Sequence, residues 1–433
     1  MERYNEYKDS GVQWLGEIPS HWECEKAKRH FQSRKQIVGR NSSQYERLAL
    51  TLKGVIKRFE GDGVGLNPEK LDTYQIVDKD DLIFKLIDLE NVSTSRVGLS
   101  PYKGIVSPAY IRISAVDEVN IRFAEYYYLN MWMRHIFNDL GTPGVRSNLS
   151  STDLLNLPLL YPSIVEQKAI ATYLDTATAK IDEAIAQQQK MIDLLNERKQ
   201  IIINNAVTRG LNPDTPMKDS GVDYIGLIPE NWEVTKLKSI GTTINGVSHD
   251  SSYFGEGYPF VSYSDVYKNS ILPLTVNGLA KSTTLEQKIF SVKEGDVFFT
   301  RTSETAEEIG TTSTCIKTIP QAVFAGFLIR FRPRKGILDS KFSSFYFRAQ
   351  IHRSYFVKEM NLVIRASLSQ QLLKGLPVLL PHIQEQREIA DYLIAETGKI
   401  EQAINTYTKQ IYLLQERKQI IINDVVTGKV KVS

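Results

Sequence analysis

The strongest constraint on this 433-residue chain is that it is written twice. A repeat has to be sought before any local reading, because missing it misassigns the whole fold. Lys8-Asp-Ser-Gly-Val-Gln-Trp-Leu-Gly-Glu-Ile-Pro-Ser-His-Trp-Glu23 returns as Lys218-Asp-Ser-Gly-Val-Asp-Tyr-Ile-Gly-Leu-Ile-Pro-Glu-Asn-Trp-Glu233, with ten of sixteen positions identical at an offset of 210. A longer pair, residues 166–208 and 385–427, is identical at 25 of 43 positions at an offset of 219. It contains Glu197-Arg-Lys-Gln-Ile-Ile-Ile-Asn204 and Glu416-Arg-Lys-Gln-Ile-Ile-Ile-Asn423, and reaches back through Leu157-Pro158 and Leu376-Pro377 to Arg146 and Arg365. Residues of about 24–156 and 234–375 lie between, similar in length and little alike. Only a faint template joins them: Asp80-Asp-Leu-Ile-Phe84 with Gly295-Asp-Val-Phe-Phe299, Ile111-Arg112 with Ile329-Arg330, and Arg146-Ser-Asn-Leu-Ser150 with Arg365-Ala-Ser-Leu-Ser369. The order is short motif, variable domain, long repeat, and then the same again. The N-terminal short motif stands where a third copy would follow if the chain were circular. A pseudo-two-fold body with neighbouring termini is expected.

Each long repeat reads as one helix. Apolar or small residues recur at Ile170, Leu174, Ala177, Ile181, Ala184, Met191, Leu195 and Ile202, with Gln188 and Arg198 as interruptions. The second copy places Ile389, Leu393, Ile400, Ala403, Tyr407, Leu414 and Ile421 likewise, and Ile185, Ile192, Ile404 and Ile411 widen both stripes. This alternating spacing is a coiled-coil seam. A helix of 43 residues is about 65 Å long, more than one globular domain covers. Pairing the two helices antiparallel buries both stripes; the alternative is that each packs on its own domain. For the duplicated Glu197, Arg198, Lys199, Gln200 and Glu416, Arg417, Lys418, Gln419, the readings are a partner-docking contact, a buried network or an ordinary solvated face.

Composition excludes several classes. Hydrophobic residues make up 42% and charged residues 24%, enough to build cores. Two cysteines, Cys24 and Cys315, make no disulfide framework, and no paired-cysteine spacing suggests zinc. No apolar run approaches the ~20 residues of a membrane span, and the first residues lack a leader's apolar stretch; a cytoplasmic protein is expected. Phosphate loops, a strand-linked GxGxxG, a GxSxG elbow and HExxH are all missing. His21, His30, His135, His249, His352 and His382 are scattered without ligand spacing. Asn67-Pro68 and Asn212-Pro213 are each followed by an acidic residue and lack the aromatic end of an amino-methylating motif. A binding or scaffold role is favoured over catalysis, and no metal or cofactor residue is assigned.

Both variable domains read as α/β. Strands are expected at Asp81–Ile87, Ala109–Ile113, Asp296–Thr300 and Phe324–Phe331, and helices at Phe123–Phe137 and Lys341–Val357. The net charge is only +3, so nucleic-acid binding requires that basic residues gather on one face. Base edges are read by Arg, Lys, Asn and Gln, and phosphates by Lys, Arg, Ser and Thr. In the first domain the candidates are Lys53, Lys57, Arg58, Lys85, Asn91, Arg96 and Arg146. In the second they are His249, Ser252, Tyr253, Tyr263, Arg301, Thr302, Ser303 and Arg365. A solvated loop is the alternative for most of these, and a structural ion pair for Arg146 and Arg365.

In combination, the duplicated Lys-Asp-Ser-Gly-Val…Gly…Ile-Pro…Trp motif, the duplicated Glu-Gln…Ile-Ala…Tyr-Leu…Lys-Ile helix and the Arg209-Gly-Leu-Asn-Pro213 junction resemble the specificity subunit of type I restriction-modification systems. Asp88-Leu-Glu-Asn91 and Gly104-Ile-Val-Ser-Pro-Ala-Tyr110 add to the likeness, which covers nearly the whole chain. The resemblance implies an α+β protein: two α/β target recognition domains separated by two long helices in an antiparallel coiled coil, with a circular pseudo-two-fold repeat. It implies a short motif and first recognition domain at 1–162 and a spacer helix at 163–209. A linker and second motif follow at 210–232, a second recognition domain at 233–381, and a second spacer helix with the C-terminus at 382–433. It further implies that each recognition domain reads half of an asymmetric double-stranded DNA site. The helices would dock two methyltransferase subunits carrying S-adenosylmethionine for adenine-N6 methylation, and two restriction-motor subunits using ATP and Mg would complete the complex. The chain itself would catalyse nothing. The rival from another class is an assembly clamp whose heads bind proteins; sequence-selective retention of DNA separates the two.

Overall fold

Segments of this length without proline, carrying a continuous apolar stripe, form helices, and both long repeats do. In the computed structural model they are α1 (Ile164–Arg209) and α2 (Ile383–Val426). The structure describes residues 2–59, 70–90, 93–141, 148–301, 309–359 and 368–432. It divides into two units, residues 1–189 with 409–433, and residues 190–408. Each unit therefore holds the N-terminal part of one long helix and the C-terminal part of the other.

Within each unit opposite helix ends meet. In the first, Ile170, Ala171 and Leu174 of α1 share a core with Ile422, Val425 and Val426 of α2. In the second, Ile203, Ala206 and Val207 of α1 pack with Ile389, Ala390 and Leu393 of α2. The expected antiparallel pair is present. Its seam departs from the expected one after Ile181. Met191 is 40% exposed, and the covered positions are Ile185, Gln188, Ile192, Leu195, Lys199 and Ile202, with Ile404, Tyr407, Ile411, Leu414, Lys418 and Ile421 in the second copy. Strict alternation of four and three residues keeps a stripe on one face of a helix pair; from Ile181 the covered set keeps that alternation with the two steps exchanged, so that Ile192 and Lys199 are covered where Met191 and Arg198 were expected. The interruption is accordingly Lys199, not Arg198. Lys199 Nζ bonds Glu401 Oε1 at 2.7 Å, and Lys418 Nζ bonds both oxygens of Asp182 at 2.7 Å. Pairs this exposed contribute under about 1 kcal/mol each, but a polar seam position specifies register.

The short motif explains itself as turn chemistry and a latch. Tyr7–Asp9 pairs antiparallel with Glu17–Pro19, and Met217–Asp219 with Leu227–Pro229. Asp9 and Asp219 accept the amides of Gly11 and Gly221 at 3.0 and 2.9 Å, and those glycines sit at φ near +70°, where a side chain is disfavoured. Trp22 and Trp232 are fully buried, and their indole N–H groups donate to Glu166 (3.3 Å) and Glu385 (3.0 Å) in the first turns of α1 and α2. The next residue is also used twice. Gln167 and Gln386 are buried; their amide groups donate to the Pro162 and Pro381 carbonyls, and their carbonyls accept from the amides of Asn120 and Asp339.

The variable segments share a hidden plan. The first unit has a four-stranded sheet ordered Phe31–Gln32, Ile111–Ala115, Leu82–Phe84, Val97–Leu99; the second has Gly241–Asn245, Leu328–Pro333, Val297–Thr300, Thr312–Thr314. Both centres are antiparallel. The faint template lies here and holds for the carboxylates but not for the arginines. Asp81 and Asp296 are buried, accept the amides of Asp78 and Lys293, and pair with Arg112 and Arg332 at 2.6 Å, whereas Arg330, the residue expected to match Arg112, donates to the Ile289 and Ser291 carbonyls. The neighbouring sheets differ. One is four-stranded, Gly54–Arg58, Arg47–Thr51, Gly104–Val106, Gln75–Val77; the other is three-stranded, Gly278–Ala280, Phe254–Val261, Val323–Phe324. Three expected elements are interrupted. The Phe324–Phe331 strand breaks at a turn over 325–327. The Phe123–Phe137 helix is Ile121–Met133 and Ile136–Leu140, split where His135 takes φ +58°. The Lys341–Val357 helix is Ser340–Tyr346 and Ile351–Glu359.

The chain ends meet as circularity requires. Glu2 bridges Lys431, and the Tyr7 hydroxyl donates to the Gly428 carbonyl at 3.1 Å. Gly428, at φ +73°, lies so close that a Cβ there would sit 2.4 Å from Pro19 Cδ.

One buried group gives the second unit an acid-sensitive component. His352 is buried against the rings of Tyr346 and Phe347, with centroids at 4.7 and 5.9 Å. Burial pulls its pKa down to about 4, opposed by a backbone bond at Tyr346 and aided by Arg353. The folded value lies below the ordinary ~6.5, so the unfolded chain takes the proton first. Stability is complete above that value and falls as pH drops toward 4, by about 3 kcal/mol at one pKa unit per ~1.4 kcal/mol. Urea midpoints of this unit at pH 7 and 4.5 check this; a loss unchanged in His352→Phe would assign it to other groups.

Candidate nucleic-acid interface

In the second unit, candidates from separate stretches of sequence converge. The turn over 325–327 is the centre. Its Ala325 amide bonds the Val261 carbonyl (3.0 Å), two residues before Tyr263; Val247, two residues before His249, donates to the Phe324 carbonyl (2.9 Å); and the Arg301 amide donates to the Phe327 carbonyl (2.9 Å). His249, Tyr263 and Arg301 are thereby set around one short turn. His249 stacks on Tyr253 at 4.0 Å and bonds Glu286 at 2.7 Å. Glu286 ends a capping box with Thr283. The Thr283 amide, with smaller help from His249, the Thr283 hydroxyl and Tyr253, outweighs burial and holds its carboxyl at about 2. Burial and that carboxylate push the Tyr253 hydroxyl up to about 12. Asp250 caps the turn that holds Ser252, its carboxylate accepting the Ser252 amide and hydroxyl. Tyr263 stacks on Tyr267 at 5.9 Å.

In the first unit the set is looser. Lys53 is exposed at the tip of the hairpin Arg47–Thr51/Gly54–Arg58. Lys57 pairs with Glu46 at 2.6 Å and lies over the Tyr102 ring at 4.8 Å. Arg58 stands opposite Arg47 across the two strands. Burial raises the Tyr110 hydroxyl, Tyr74 adds to this, and Arg96, Arg58 and Arg47 oppose it, so these cations share one neighbourhood. Arg96 itself is fully buried and donates to the Asp88 carbonyl and Thr94 hydroxyl; it holds its loop and does not face solvent. Lys85 is half-buried and donates to Thr94 Oγ1 at 3.3 Å; burial and Arg96 lower its pKa. Arg47 and Tyr110 escaped sequence reasoning because strand alternation alone does not show which face carries cations. Asn91, Arg146, Thr302, Ser303 and Arg365 lie outside the described residues.

The family model for the type I restriction modification DNA specificity domain matches the chain over residues 30–192 and again over 229–409. The chain belongs to this family. It is 24% identical over 383 residues to the type I restriction enzyme MjaVIII specificity subunit of Methanocaldococcus jannaschii, covering 86% of this chain and 84% of that protein. It is 28% identical over 300 residues to the type I restriction enzyme EcoBI specificity subunit of Escherichia coli, covering 67% and 62%. Its fold matches a solved chain from a study of complex assembly and conformational transition of the type I R-M system, with a TM-score of 0.70 at 14% identity over 95% of this chain and 99% of that one. A specificity subunit is the non-catalytic, DNA-recognising component of such a system. Among the described residues no three His, Cys, Asp or Glu gather as metal ligands, and no helix is long and apolar enough to cross a membrane.

In this specificity subunit the duplicated helix run divides by face. Lys199 and Lys418 are engaged in the seam, whereas Glu197, Arg198, Gln200, Glu416, Arg417 and Gln419 are exposed. Leu194 and Ile201, and their counterparts Leu413 and Ile420, flank them and are each about half exposed. They escaped attention because they fall outside the apolar stripe of the seam.

Proposed function

We propose that each variable segment, within residues 1–162 and 233–381, is a target recognition domain that reads one half of a bipartite double-stranded DNA site through the major groove. The two families of side chains differ, so the halves differ and the site is asymmetric. The observation that carries this is the convergence of His249, Tyr263 and Arg301 on one turn in a chain whose family model matches twice. A matching pair of heads on one face of B-DNA meets successive major grooves about one helical turn apart. The antiparallel helices at 163–209 and 382–433, joined by the linker 210–232, set the spacing. They also dock two methyltransferase subunits, which bring S-adenosylmethionine to adenine N6. Leu194, Ile201 and the charged residues between them, repeated as Leu413 to Ile420, support the docking reading: apolar residues seven apart, with Glu and Arg between, are the face a partner helix buries. Two restriction-motor subunits, with ATP and Mg, complete the assembly.

Mapping methylated adenines in a genome that expresses this chain with its methyltransferase tests the reading. Expected is one motif of two unlike specific parts separated by unspecified bases. A palindromic or uninterrupted motif, or methylation unaffected by deleting this chain, would overturn it.

A further inference from the structure

Phe327 is 64% exposed although Phe324 and Leu328 beside it are fully buried. The turn that carries it is held by four backbone bonds, one of them to Phe327 itself. Besides the bonds of Ala325 to Val261, Val247 to Phe324 and Arg301 to Phe327, the Leu328 amide donates to Ala325 at 3.0 Å. A Cβ on Gly326 would lie 2.9 Å from the Val247 carbonyl oxygen and 3.2 Å from Ser248 Cβ, so the two strands of chain touch there. A single exposed apolar residue is ordinary on any surface. Phe327 differs because folding fixes its backbone, leaves its ring in water, and surrounds it with Arg301 and the stretches leading to His249 and Tyr263.

We propose that Phe327 contacts the C5-methyl group of a thymine in the half-site read by the second unit. This rests on the DNA-reading function proposed above and names one of its specificity-determining residues. The chemistry follows from the groove: of the base edges exposed there, thymine alone presents an apolar group, and a side chain without donors or acceptors selects it. A contact element already fixed by the fold loses little freedom on binding. Arg301, adjacent through its amide, supplies the cation that places the ring against the duplex.

The test uses the chain assembled with its methyltransferase subunits and a duplex carrying the mapped site. Each thymine of this half-site is replaced in turn by deoxyuridine, which removes only the methyl group. Wild type is expected to bind about tenfold more weakly at one such position, the scale of one lost base-pair contact. Phe327→Ala is expected to bind the thymine site about tenfold more weakly and to be indifferent to that deoxyuridine, the coupling of a contacting pair. Phe327→Leu should retain part of the sensitivity, and provides the measurement should the alanine variant fold poorly. The inference is overturned if Phe327→Ala binds as wild type, if it weakens the site and unrelated DNA equally, if the deoxyuridine penalty persists in it, or if no thymine in this half-site responds. If wild type itself does not prefer the mapped site to unrelated DNA, the DNA-reading function fails, and this inference with it.

Discussion

Exchanging residues 24–156 for the equivalent segment of another family member is expected to change one half of the methylated site and leave the other half as it was. The expectation rests on where that segment makes its contacts. Its cores are confined to the first unit, where they join the short motif and the ends of α1 and α2. The incoming segment must reproduce the anchors to the helices, besides the pairing of residues 24–26 with 158–160 and the bonds of Tyr127 to Pro158 and Arg134 to Trp14. The anchors to the helices are the Asn120 amide on Gln167, the Arg122 and Tyr126 contacts to Asp175, the Tyr126–Thr178 hydroxyl pair, and Arg134 on Asn423. Each mismatched base pair costs about 1–3 kcal/mol, roughly additively. Two altered pairs thus displace the old site by at least about thirtyfold, which a methylation map reads without ambiguity. A change in both halves would show that the heads are not independent readers.

What could be read from the letters alone divides by physical cause. The duplicated stretches were legible because they are contact chemistry. Trp22 needs Glu166, Gln167 needs two backbone groups, and Gly428 must lie against Pro19; each constrains a letter. The variable segments hid an equal strand order because a sheet requires only apolar alternation, which many sequences satisfy. Only the buried carboxylates Asp81 and Asp296 left a trace, since a buried carboxylate tolerates few substitutes, while their partners Arg112 and Arg332 do not stand at the positions the template matched. The helix seam was legible as a period but not in phase: Met191 and Ile192 are equally apolar, and only the facing helix decides which is covered. Candidate contacts were least legible. Arg96 and Arg301 are the same letter in polar loops, yet one is sealed inside and the other sits beside an exposed ring. Exposure is set by residues far away in sequence.

Removing the indole at Trp232 is expected to destabilise the second unit by about 3–5 kcal/mol, the range for truncating a buried large aromatic to alanine. Trp232 is wholly buried beside Ile228 and the α2 residues Ile389 and Leu393. A Cβ on Gly210, at the end of α1, would lie 3.5 Å from the Trp232 ring. One side chain therefore holds together the end of one long helix, the start of the other and the short motif between them. Against a typical stability of about 5–15 kcal/mol, the loss is a large share. Phenylalanine at the same position separates packing from bonding. It keeps most of the contact area but removes the indole N–H from Glu385, leaving that carboxylate with the Asn231 amide at 3.3 Å. A hydrogen bond to a charged acceptor contributes about 1.5–3 kcal/mol, so Trp232→Phe should fall between wild type and Trp232→Ala. Trp22→Ala should act likewise on the first unit, although Glu166 there keeps His21 and Ser163. Hydrogen exchange in urea, resolved by segment, reads the two units separately. Each alanine variant should lower protection across its own unit. A loss under about 1 kcal/mol would mean that the repeated tryptophans fill space without closing the repeat.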